Sequence, residues 1–195
     1  NFGYDIFGNQ SDAEGTEGPK KPKYYSAYVQ DKFEVNDLVV NAGIRFDSFD
    51  NDDFDFIDAK NPGYDPQNFT VDETKVKKVP AFKTVSPRIG FSFPVTDRTV
   101  FHVQFGKFVQ APQLNALYSS TSTQALSFSG RNFIPVPFGT GLEPVRTTQY
   151  EIGFTQQFTD FASFDITTFY KDIKGQVQVQ RITTLTTSTA SSYLV

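Results

Sequence analysis

Six aspartates fall between Asp47 and Asp58, at positions 47, 50, 52, 53, 55 and 58, and crowded carboxylates are the raw material of a hard-cation site. The run lacks the glycine and closing glutamate of a calcium-binding helix–loop–helix, so the sequence predicts a solvated acidic loop. His102 is the single histidine and there is no cysteine, so no multi-histidine or thiolate metal centre can be assembled from these residues. The same histidine would have to serve any Ser-His-Asp arrangement, and no G-x-S-x-G pattern marks a nucleophile. The reading is therefore no enzyme, no catalytic or metal-binding residue and no cofactor. The remaining candidates are aromatic: Tyr118, Phe128, Phe133 and Phe138 stand in a long polar stretch, where they would contact a ligand or pack that stretch on itself.

Composition narrows the class. Twenty-two Phe and nine Tyr, with no Trp or Met, favour a pleated surface over helices. The net charge of -4 comes from interspersed signs, with no basic patch to neutralise phosphates, so nucleic acid is not an expected partner. No apolar run reaches the length of a membrane helix, which leaves alternating strands untouched as a means of crossing.

Alternation is what the sequence offers. Tyr25, Ala27, Val29, Phe33 and Val35 share one parity, broken only by Asp31, while Tyr24, Ser26, Tyr28, Gln30, Lys32 and Glu34 take the other. After a tight turn at Asn36-Asp37, Leu38, Val40, Ala42, Ile44 and Phe46 oppose Asn41, Gly43, Arg45 and Asp47. The pattern returns as Val85 to Val95, a turn at Thr96-Asp97-Arg98, then Phe101, Val103 and Phe105. It returns again as Tyr150, Ile152, Phe154 and Phe158, a turn at Thr159-Asp160, then Phe164, Ile166 and Tyr170. Pro87 and Pro94 each remove a ladder donor and are expected at a strand start or a bulge. Gly153 is expected to make room on the polar side. Charges there are expected to be mainly solvated, with Asp165 near Arg88 or Glu151 near Arg45 as possible ion pairs.

The predicted organisation is residues 1–23 as a loop, 24–50 as hairpin 1, 51–83 as a loop, 84–110 as hairpin 2, 111–146 as a loop, 147–173 as hairpin 3, and 174–195 as a polar loop or strand extension. Tight turns at one end, loops of more than thirty residues at the other and strands of about ten residues fit a transmembrane barrel in an outer membrane. Tyr25 and Phe46 toward the loops, and Phe33 and Phe158 toward the turns, suit aromatic girdles. The fold class is all-β: an antiparallel transmembrane β-barrel segment, about six strands in three hairpins of a larger barrel. Six strands leave two unpaired edges in lipid, so further strands must complete the wall.

Three phrases resemble the barrels of TonB-dependent outer-membrane receptors: YYSAYVQDKFEVNDLVVNAGIRFD at 24–47, SPRIGFSFPVTDRTVFHVQFGKFVQAP at 86–112 followed by LNALY, and LEPVRTTQYEIGFTQQFTDFASFDITTFYKDIKG at 142–175. The resemblance implies uptake of a scarce nutrient such as a metal-siderophore, vitamin, glycan or peptide, in the outer membrane of a Gram-negative bacterium. It implies as partners membrane lipid, TonB in the inner membrane, a plug and the remainder of the barrel. No plug-sized segment is legible in these residues, and the stretch reads as an internal piece of a longer precursor. Two other readings stay open: an outer-membrane structural or interaction subunit of a larger complex, with other outer-membrane subunits as partners, and a soluble β-sandwich binding module whose apolar faces meet protein.

Overall fold

The computed structural model describes residues 3–4, 8–65, 70–118, 141–183 and 192–194. Strands β1 (Lys23–Val35) and β2 (Leu38–Asp50) meet at Asn36-Asp37, where Asn36 takes a φ of 53° that asparagine tolerates better than other residues with a β-carbon. Four short strands follow: β3 (Phe54–Phe56), β4 (Tyr64–Asp65), β5 (Thr70–Val71) and β6 (Val76–Lys78). Then come β7 (Phe82–Thr96), β8 (Thr99–Gln110), the one-turn helix α1 (Leu114–Leu117), β9 (Val145–Thr159) and β10 (Ala162–Lys174). Strands β11 (Arg181–Thr183) and β12 (Ser192–Leu194) pair with each other.

The six long strands form one antiparallel sheet in the order β1-β2-β7-β8-β9-β10, so each hairpin is followed in space by the next. The expected three hairpins are present. The third turn is Asp160-Phe161 rather than Thr159-Asp160, because the ladder carries Ala162 to Thr159 and then shifts register before Ser163. Both prolines mark irregularities. Pro94 opens a register shift, and the β7–β8 ladder begins at Arg88–Gly106, immediately after Pro87. Below Arg88, β7 goes on pairing with β2 down to Phe82, while β8 goes on pairing with β9 out to Gln110. The loop half of the sheet is therefore split between β7 and β8.

Register sorts the faces. One continuous row runs Phe33, Val40, Phe91, Val103, Ile152, Thr168, and the next runs Asp31, Ala42, Ile89, Phe105, Tyr150, Tyr170. Aromatic neighbours lock along this face: Phe93 and Phe101 lie 5.3 Å apart and Phe158 stacks on Phe164 at 4.7 Å, both toward the turns. The reverse face carries rows such as Gln30, Gly43, Arg88, Gly106, Gln149, Lys171.

No second layer covers the apolar face among the described residues. Val29 and Tyr170 are 66% and 65% exposed. Apart from Val40, the buried apolar side chains are in the connections: Phe54, Phe56, Val71 and Leu117, at 8% exposure or less. A hydrophobic core has thus formed where a reading of loops expected polar chain, and the wide sheet remains open on both sides. That distribution is the reverse of a sandwich, in which the facing sheets supply the core. No helix of the described residues is long and apolar enough to cross a membrane, which says nothing of strands.

Candidate functional site: the polar face and the loop end

The polar face of the sheet is built by the strand residues of opposite parity to the apolar rows. It forms a trough of about 510 Å³ lined by Gln30, Asn41, Arg88, Gln104, Phe108 and Gln149 among others. The charges here are largely answered within a strand or by a neighbour. Arg45 donates from Nε to both Asp47 oxygens at 2.9 Å and from a terminal nitrogen at 2.9 Å, burying Asp47 to 1% exposure. Gln149 donates to Glu151 at 3.1 Å. Asp165 accepts from Thr155 at 2.6 Å and Thr167 at 2.9 Å.

The anticipated pairs of Asp165 with Arg88 and Glu151 with Arg45 are absent. Register puts Thr155 opposite Asp165, and it puts Glu151 between Gln104 and Phe169 on strands remote from Arg45. Arg88 instead lies over the Phe108 ring, 4.6 Å from its centroid. His102 stands on this face, 3.3 Å from the Thr167 hydroxyl. Beneath it, a β-carbon on Gly153 would meet His102 Nε2 at 2.6 Å and the Ile166 carbonyl at 2.6 Å. The glycine therefore makes room, as its place in the alternation implied.

Sequence reasoning placed Tyr24 on the polar parity but missed its neighbours Phe49 and Phe82. Tyr24, Phe49 and Phe82 line up in register at the loop end, with ring centroids 5.5 and 6.5 Å apart, and the Arg146 guanidinium lies 5.7 Å from the Phe82 ring. Parity counting carried from Val85 and Phe46 would have found them.

At the loop end the segments knit together. The Thr16 N–H donates to Glu73 at 2.8 Å, the Lys21 N–H to Asp52 at 3.1 Å, and the Lys78 ammonium to Asp52 at 3.3 Å. Strand β3 pairs with β6, and Lys20 sits over the Phe54 ring at 5.1 Å. Tyr118, a ligand-contact candidate, donates its hydroxyl to the Asn51 carbonyl, and Tyr24 donates to the Asn51 side chain at 3.1 Å. Burial, with the nearby Tyr24 and Asp53, raises the Tyr118 pKa above its ordinary value. Phe128, Phe133 and Phe138 lie outside the described residues.

The acidic run is dispersed among separate partners. Asp55 meets Lys77 at 3.5 Å, and Asp58 accepts the Lys60 N–H at 2.9 Å. Asp52 is held below its ordinary pKa: burial works against the charge, but the Lys21 N–H and the ammoniums of Lys78 and Lys20 outweigh it. Asp53 goes the other way. It is 5% exposed, and burial pushes it up to about 6 despite hydrogen bonds from the Phe54 and Gly141 N–H groups, the latter at 3.1 Å, and the charge of Lys20. Among the described residues no three acidic or histidine side chains converge as a metal site would require.

No curated protein matches the chain. Among solved structures, the Serratia marcescens hemophore receptor HasR, a double mutant in complex with its hemophore HasA and heme, superposes with a TM-score of 0.59 at 14% identity, over 95% of this chain and 31% of that one. The copper transporter OprC gives a TM-score of 0.48 at 15% identity, over 98% of this chain and 28% of that one. The chain thus spans about a third of the length of the receptors it resembles. Residues 1–194 match the family described as TonB dependent receptor-like, beta-barrel, and on that match the chain belongs to the β-barrel of the TonB-dependent receptors.

Proposed function

We propose that this chain is a section of the wall of an outer-membrane transporter that takes up a scarce nutrient: a metal-siderophore, a vitamin, a glycan or a peptide. The observation that carries the reading is the single sheet, exposed on both faces, with continuous apolar rows on one and charges and amides on the other. In a barrel, the first face meets lipid, and the second meets the lumen and a plug. TonB would supply the drive from the inner membrane. Asn36, Asp97 and Asp160 stand on the periplasmic side, and the stretches 1–23, 51–83 and 111–146 on the extracellular side. Ligand contact is assigned to the loop carrying Tyr118, Phe128, Phe133 and Phe138, whose first member is already anchored at the rim by Asn51.

The test is uptake by cells lacking the full-length receptor, supplied in turn with labelled siderophore complexes, cobalamin, oligosaccharides and peptides. Loss of one class, restored by the wild-type receptor and only weakly by a variant with Phe128, Phe133 and Phe138 replaced by serine, supports the assignment. Unchanged uptake of every class, with other outer-membrane proteins co-purifying, would favour a structural or interaction subunit.

A further inference from the structure

Between Tyr25 and Val35, Asp31 is the one outward residue of β1 that breaks the apolar alternation, and the transport reading gives it no role. Its row continues as Ala42, Ile89, Phe105, Tyr150 and Tyr170, so an exposed carboxylate stands level with rings and aliphatic side chains that would face lipid. A charge in that position is unfavourable unless it is answered. Among the described residues no cation answers it: the adjacent Lys32 lies on the opposite face and pairs with Glu34 at 2.7 Å.

Strand β1 is also an edge of the sheet. Asp31 Oδ1 accepts the Lys32 N–H at 2.9 Å. A donor aimed at its neighbour's carboxylate is not aimed at the β2 carbonyl opposite, so it belongs to the open side of β1. A strand laid against that side would bring its own carbonyls to such donors, since backbone groups within a bilayer must be paired. The Asp31 carboxylate would then be released onto the outward face. The nearest side chain available to it is the one directly opposite on the incoming strand, about 5 Å away between β-carbons.

We propose that the strand completing the wall beside β1 carries an outward lysine or arginine opposite Asp31, and that this ion pair fixes the register of the seam. A one-residue slip would turn the cation into the lumen and leave Asp31 alone in lipid, so the pair specifies one alignment among several. The inference rests on the outer-membrane reading above.

The experiment uses the full-length receptor, purified in detergent, with thermal unfolding read from its heat-modifiable mobility on gels. D31N and D31L are expected to lower the unfolding temperature, and D31K to lower it further or prevent folding. The residue opposite is located from D31C by disulfide formation with single cysteines placed along the neighbouring strand, in a receptor from which any other cysteine has been removed. A glutamate there should restore D31K. An unfolding temperature for D31L equal to or above wild type would overturn the proposal, because the carboxylate would then have been unpaired. A loss seen only in native membranes and not in the purified receptor would overturn it too, placing the partner in another protein. Recovery of the wild-type receptor in soluble form without detergent would instead strike at the outer-membrane reading.

Discussion

Single residues here decide what the neighbouring strands can hold. A methyl group on Gly153 would press on the Ile166 carbonyl as well as on His102 and Thr167, and backbone cannot step aside as a side chain can. Gly153→Ala is expected to destabilise the folded receptor by about 1–3 kcal/mol, and Gly153→Leu to impair its assembly, both read from the fraction of heat-modifiable protein in outer membranes. Asp53 makes a prediction of a different kind. The unfolded chain ionises this carboxyl near its ordinary 3.8, whereas the fold holds it protonated up to about 6. The unfolded state therefore binds fewer protons across that window, and the stability contributed by Asp53 is complete below the lower value and lost as pH rises through the upper one. Lys20, Asp52, Asp55, Lys78 and Tyr118 surround the same corner and set the size of the effect. Limited proteolysis of the loop segments should quicken between pH 4 and 7 in the wild type. Asp53→Asn should flatten that dependence, and an unchanged profile in the variant would refute the assignment to Asp53.

Strands, turns and breaks form the next scale. At Asn36 the φ of 53° leads to the expectation that Asn36→Gly is tolerated, while Asn36→Val weakens the β1–β2 turn by about 1–2 kcal/mol; equilibrium unfolding of the two variants checks the order. Alternation made the six strands legible because each carries one dominant parity, from Tyr25 to Val35 with only Asp31 breaking it, or from Tyr150 to Phe158 with only Gln156. It located both prolines at irregularities, since a missing donor is a local fact that sequence displays. It did not locate the small core. Phe54, Phe56, Val71 and Leu117 are separated by polar residues and are each buried in the connections, through short pairings such as β3–β6 and the one-turn helix at Leu117, neither of which has a periodic signature. The possible ion pairs are absent because strand order keeps them apart: Glu151 on β9 and Arg45 on β2 have β7 and β8 between them, as Asp165 on β10 and Arg88 on β7 have β8 and β9, and Glu151 meets Gln149 of its own strand.

Taken whole, the chain buries too little in its sheet to stand by itself. Among the described residues both edges and one apolar face are open, and exposed backbone edges invite pairing with other chains. Residues 1–195 expressed without the rest of the receptor are expected to aggregate in water and to dissolve only in denaturant or detergent; a monodisperse soluble monomer by light scattering would contradict the lipid-facing assignment. Family membership was readable in the sequence, since three phrases kept their order across more than half of it. The transported nutrient was not, because nothing in the wall's alternation depends on what passes beside it.

The split that follows Pro87 gives this wall a mechanical character. Below Arg88 the strands β1, β2 and β7 form one leaf, and β8, β9 and β10 form another, joined along a spine toward the turns. The stretch between β2 and β7 hangs from the first leaf and the stretch between β8 and β9 from the second. Among the described residues the two stretches are clasped at Gly141 to Asp53 and at Tyr118 to Asn51, and the two leaves at Arg146 over Phe82. Such a construction concentrates compliance in one seam and stiffness everywhere else, like a book held shut by three clasps near its outer edge. Force applied to either stretch would be felt first at those three contacts, and of the three only the Asp53 clasp is set by the acidity of the surroundings.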